Sequence, residues 1–90
     1  MAERSVRLPN PSGLHARPAK VFAQAAADAD AEVTVAKGGN EVNAASVLSV
    51  LTLDCHQGDE ITIRAQGERA EEALTALVDL VENGLGEQPA

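Results

Sequence analysis

Residues 32–43 read EVTVAKGGNEVN, and they decide what kind of sheet the chain can build. Val33 and Val35 alternate with polar neighbours across Glu32–Ala36, the period-2 pattern of a half-buried strand. The cluster Gly38-Gly39-Asn40 is a turn signal, so Glu41–Asn43 returns as a short antiparallel strand. A hairpin in mid-chain makes the sheet antiparallel at this point.

The flanks extend the pattern in both directions. Ser5–Leu8 alternates with Val6 and Leu8 on one face, and Glu60–Ala65 alternates with Ile61 and Ile63 inward. Pro9, Asn10, Pro11, Ser12 and Gly13 break any regular element and form a loop. From Ala16 to about Ala29 alanine dominates, with Ala19, Phe22, Ala23 and Ala26 at helical spacing. Ser46–Leu53 is apolar at Val47, Leu48, Val50, Leu51 and Leu53, more than an ordinary surface helix carries, and Asp54–Asp59 is a loop. Ala70, Ala73, Leu74, Leu77 and Val81 form a helical stripe that starts beside Glu71 and Glu72 and stops at Asn83-Gly84. The order β-α-β-β-α-β-α is an α+β pattern, with helices covering one face of an antiparallel sheet.

Composition narrows the class. Ninety residues are read as a single domain, 1–90, with a modest core that buries about 60–65% of the unfolded surface. Hydrophobic residues make up 44% of the chain and aromatics 1%, so the core is aliphatic around the single Phe22. Seven basic against fourteen acidic residues give a net charge of −7, which argues against nucleic acid as a partner. Cys55 is the only cysteine, so no internal disulfide forms and a reducing compartment is expected. No apolar run reaches signal-peptide or membrane-span length, and the expectation is a soluble, cytoplasmic protein.

One stretch does not fit a purely structural reading. GLHARPAK, residues 13–20, puts His15 at the N-cap of the first helix and Pro18 in its first turn, where a missing N–H costs nothing. Histidine is not a favoured N-cap. The amides of Ala16 and Arg17 are free there, and a helix N-terminus attracts anions. The same field disfavours imidazolium, so a neutral, nucleophilic ring is expected. Arg17 adds a fixed charge with donors matched to phosphate oxygens, and Ser12 and Gly13 let the loop approach and donate. A neutral histidine above an anion cradle suits a transient phosphohistidine.

The run PNPSGLHARPA, residues 9–19, closely resembles the active-site signature of the HPr family, the histidine-containing phosphocarriers of the bacterial phosphoenolpyruvate-dependent sugar phosphotransferase system. VNAASVLSVLTL, Val42–Leu53, is similar to that family's regulatory-serine region, and QGDEITI, Gln57–Ile63, to the strand after it. The resemblance implies an open-faced β-sandwich, four antiparallel strands with three helices on one side. It implies that His15 takes a phosphoryl group on Nδ1 (a pros-phosphohistidine) from phosphorylated enzyme I and passes it to a sugar-specific enzyme IIA domain. Arg17 would balance the developing charge, and Ser12, Ala16 and Arg17 would bind the phosphate. Such a carrier is a protein substrate and donor rather than an enzyme; it needs no cofactor and no metal, does not insert in a membrane, and is expected to be monomeric.

The resemblance also marks Ser46, whose ordinary role is an N-cap, as the site where an HPr kinase/phosphorylase acts in some bacteria, with a transcriptional regulator as the reader. Val47, Leu48 and Leu51 cannot all be buried by a short helix, and with Lys20 and Gln24 they would form the partner interface. Several members of that family carry lysines along the first helix and at the position matching Ser49, where this chain has Gln24, Ala27 and Ser49, which shifts weight from electrostatic steering to apolar contact. Two other readings compete: a regulatory module acting through Ser46, and a phosphohistidine hydrolase. The second is disfavoured because no further acid or base is visible near His15. Cys55 and His56 are adjacent with no second pair and make a poor metal site, and Gly38-Gly39 lacks the tail of a phosphate-binding loop.

Overall fold

The computed structural model describes residues 2–87. The elements are β1 (Ala2–Arg7), α1 (Ala16–Asp28), β2 (Glu32–Lys37), β3 (Asn40–Asn43), α2 (Val47–Thr52), β4 (Glu60–Gln66) and α3 (Ala70–Glu82). The sheet runs β1-β4-β2-β3 with every neighbouring pair antiparallel, and the turn at Gly38-Gly39 joins β2 to β3 at one edge. The seven elements and the open-faced α+β architecture are those the sequence implies. Boundaries differ by a few residues. β1 begins at Ala2 rather than Ser5, because Ala2 pairs with Ala65. Leu8 lies past its end, yet its N–H donates to the Asp59 carbonyl and its own carbonyl accepts from Gly58.

The pleat separates two environments. Val6, Val33, Val35, Ile61, Ile63 and Ala65 face the helices and are buried. Phe22 of α1, Val50 of α2, and Leu74, Leu77 and Val81 of α3 meet them, giving the aliphatic core with its one aromatic. The opposite face is polar: Ser5 bonds Thr62 across the strands at 2.9 Å, and the Arg64 guanidinium bridges Glu3 and Glu41. Those exposed pairs add little stability but keep that face solvated.

The end of α3 shapes the site. Asn83 closes the helix, Gly84 and Leu85 turn in the left-handed region, and the Leu85 N–H donates to the Leu80 carbonyl. Leu85 is fully buried, and the turn brings Glu87 back against the loop between β1 and α1. No helix among the described residues is long and apolar enough to cross a membrane.

Candidate functional site

Two loops meet at Gly13. Its φ is 57°, and a Cβ there would fall 2.8 Å from backbone atoms of His56, so only glycine permits this approach. The Leu14 N–H then donates to the Cys55 carbonyl at 3.1 Å. This seam places His15, at the N-cap of α1, over the turn that follows α2. His15 caps with extended backbone geometry and no side-chain bond to the helix, so its ring is released for other contacts.

Those contacts are specific. Nδ1 lies 3.1 Å from the Ser12 carbonyl, and Nε2 lies 2.9 Å from Oδ1 of Asp54. His56 approaches from the same turn, its Nε2 3.5 Å from the same Asp54 oxygen, and the two rings sit 4.9 Å apart. A carbonyl and a carboxylate both accept, so the two bonds to His15 are made together only by the doubly protonated ring; a neutral ring keeps one of them. The expectation of a neutral ring, argued from the helix dipole alone, omitted Asp54. So did the search for a further acid or base, since Asp54 and His56 are 39 and 41 residues away in the chain.

Electrostatics around the turn follow from these bonds. The hydrogen bond from His15, reinforced by His56, holds the Asp54 carboxyl below its ordinary range. Asp59 is lowered by the backbone N–H of His56 and by Lys37, and Lys37 is raised in return by its bond to Asp59 at 3.1 Å. The Lys37 ammonium also donates to the Asp54 carbonyl at 2.8 Å, which pins the turn. Cys55 belongs to the hydrophobic core instead. It is fully buried and burial raises its thiol pKa, so the pairing of His56 that matters is with His15 and Asp54 rather than with its neighbour.

Ala16 and Asp54 both take left-handed backbone at this site, with φ of 52° and 51°, and Ala16, which has no polar side chain to favour that conformation, is the more strained. Its φ of 52° costs a residue with a Cβ about 1–2 kcal/mol, and such conformations gather at functional sites. The strain sits directly between His15 and Arg17. Arg17 is exposed and makes no hydrogen bond or ion pair among the described residues, so its guanidinium is available to an anion. Ser12 is not. Its N–H and hydroxyl both donate to the Glu87 carboxylate, at 3.0 and 2.8 Å, and the buried Asn10 amide adds a third bond at 3.0 Å. These donors depress the Glu87 pKa, that of Asn10 first. Ser12, expected as a phosphate ligand, spends both donors on Glu87 in this conformation.

The remaining expected residues lie around this centre. Ser46 caps α2, its hydroxyl accepting from the Ser49 N–H at 3.3 Å. Val50 is buried, whereas Val47 and Leu51 are 36% exposed and Leu48 is 78% exposed, so the predicted apolar patch exists. Asp54 donates its N–H to the Leu51 carbonyl, which joins the patch to the histidine turn. Arg17, Lys20 and Gln24 line one shallow groove between α1 and Leu80 of α3.

The family profile for the PTS HPr component phosphorylation site matches residues 2–83. The phosphocarrier protein HPr of Streptomyces coelicolor is 49% identical over 90 residues, covering 99% of this chain and 97% of that protein. The phosphocarrier protein NPr of Shewanella violacea is 42% identical over 89% of this chain and 88% of its own. Among solved structures, HPr-C-His from Thermoanaerobacter tengcongensis superposes with a TM-score of 0.94 at 40% identity, over 98% of this chain and 99% of that one.

Proposed function

The chain belongs to the HPr family of phosphocarrier proteins of the phosphotransferase system, and from that premise we propose that His15 is its phosphoryl acceptor. The observation that carries the reading is the paired contact of the His15 ring. When Nε2–H donates to Asp54 at 2.9 Å, the neutral ring keeps its lone pair on Nδ1. Turned off the Ser12 carbonyl, that atom attacks the phosphorus of phosphorylated enzyme I. The Nδ1–P bond forms as the donor histidine's P–N bond breaks, and the reverse geometry delivers the group to an enzyme IIA domain. Asp54 is a positioning residue: it holds the tautomer and balances the positive charge that grows on the ring. Arg17 neutralises the phosphoryl oxygens.

The chain acts as a monomeric cytoplasmic carrier in carbohydrate uptake, not as an enzyme with its own turnover. Val47, Leu48 and Leu51, flanked by Lys20 and Gln24, form the docking surface for enzyme I and IIA domains. Ser46 stands at the edge of that surface as the residue on which an HPr kinase/phosphorylase would act, with a transcriptional regulator as reader. Incubation with enzyme I and phosphoenolpyruvate, followed by intact mass, tests the core of this reading. One acid-labile phosphate that is absent from His15→Ala is expected; labelling that survives in His15→Ala would refute it.

A further inference from the structure

We propose that His15, Asp54 and His56 form a binding site for a divalent transition-metal cation of the Zn2+ class. One ligand atom from each residue lies within 4.8 Å of the others. The arrangement is that of ligands and their supports rather than of a chance surface cluster. Both Nε2 atoms face the same carboxylate oxygen, at 2.9 and 3.5 Å. Nδ1 of His15 lies at hydrogen-bond distance from the Ser12 carbonyl, 3.1 Å, and Nδ1 of His56 lies 3.7 Å from Oδ2 of Asp59, a small side-chain shift short of a hydrogen bond. A metal-binding imidazole commonly donates its other N–H to such an acceptor, which fixes the tautomer with Nε2 free to ligate.

Size and charge agree. Metal–ligand bonds of about 2.0–2.1 Å place tetrahedral ligands roughly 3.3 Å apart, so side-chain shifts of about 1 Å close the site. The turn is exposed at Asp54 and His56, so nothing packed around them opposes that shift. Two imidazoles and one carboxylate suit Zn2+, Ni2+ or Cu2+ rather than Mg2+ or Ca2+, and leave a position for water. The nearest cation, Lys37, is already paired with Asp59 and the Asp54 carbonyl. The chain's net charge of −7 further favours a cation.

A consequence follows that rests on the phosphocarrier reading. A metal on Nε2 keeps the proton on Nδ1, which removes the lone pair that attacks phosphorus. Cation binding and phosphorylation of His15 are then mutually exclusive, and the metal acts as a reversible block on the carrier.

The test uses the full chain titrated with CoCl2, followed by visible absorbance and displacement with ZnCl2. One Co2+ per chain is expected, with its absorbance abolished by one equivalent of Zn2+. Affinity should fall at least tenfold in His56→Asn and in Asp54→Asn, and stay unchanged in Cys55→Ser. Binding that is absent in the wild type, or equally tight in both ligand variants, overturns the site. In a second arm, the slowing of enzyme I-dependent labelling by Zn2+ is compared within each protein, and it should be smaller in His56→Asn. Equal slowing in the two proteins refutes the coupling. A protein that binds Zn2+ but is never labelled would sink the phosphocarrier reading and leave the site standing.

Discussion

The Glu87 carboxylate takes both donors of Ser12, its N–H at 3.0 Å and its hydroxyl at 2.8 Å, and so ties the tail after α3 to the loop that carries His15. The latch works through an ionised carboxylate. Its pKa is lowered in the fold, so the stabilisation is fully present above the unfolded value near 4.5 and is lost as pH falls through the lower folded value. Glu87→Gln should lower the thermal midpoint at pH 7, and the gap to wild type should narrow as pH drops below about 4.5. Parallel melting curves from pH 7 to pH 3 check this; a gap constant with pH would mean that charge on Glu87 is irrelevant.

Arg17→Ala should leave the fold intact, since the side chain is exposed and unpartnered among the described residues. Losing a charge-assisted contact to the transferring phosphoryl group costs about 1.5–3 kcal/mol, roughly ten- to hundredfold in transfer rate. Rapid-quench kinetics with phosphorylated enzyme I read the effect. Wild-type rates would remove Arg17 from the transfer site.

Gly13→Ala should be among the most damaging single-methyl additions in the chain. The new Cβ meets the Cys55–His56 backbone, and the position needs a φ of 57°. The conformational term alone is about 1–2 kcal/mol, and the overlap adds to it. Urea unfolding should show a loss of about 2 kcal/mol or more, and the His15 ring resonances should shift as the two loops separate. A variant as stable as wild type would show that the seam is not tight.

Ser46 separates capping from regulation. Ser46→Ala removes the oxygen that accepts from Ser49 and should cost about 1 kcal/mol. Ser46→Asp keeps a capping oxygen and places negative charge at a helix N-terminus, so its stability should stay near wild type. Its phosphorylation by enzyme I should nevertheless slow, more so at low salt, because a charge now edges the exposed patch of Val47, Leu48 and Leu51. A stable variant labelled at the wild-type rate would place Ser46 outside the enzyme I interface.

Leu48→Ser isolates the patch itself. The side chain is 78% exposed, so unfolding should be unchanged within about 0.5 kcal/mol. Association with enzyme I should weaken, seen as a higher apparent KM for the carrier with little change in maximal rate. An unaltered KM would show that this surface is not the one enzyme I covers.

By itself, the sequence determined the elements, their order and the place of His15 at the mouth of the first helix. Alternation around Val33, Val35, Ile61 and Ile63, the Gly38-Gly39 turn and the alanine and leucine stripes are local signals, because backbone periodicity is written in near neighbours. His15 and Arg17 were legible for the same reason: they share one helical turn. Only the tertiary structure decided who faces them. Asp54 and His56 reach the His15 ring because Gly13 lets two distant loops touch, and Glu87 reaches Ser12 because Gly84 and Leu85 fold the chain back after α3. Contacts of that kind depend on how β1, β4 and α3 stack, and no spacing within a single segment encodes them.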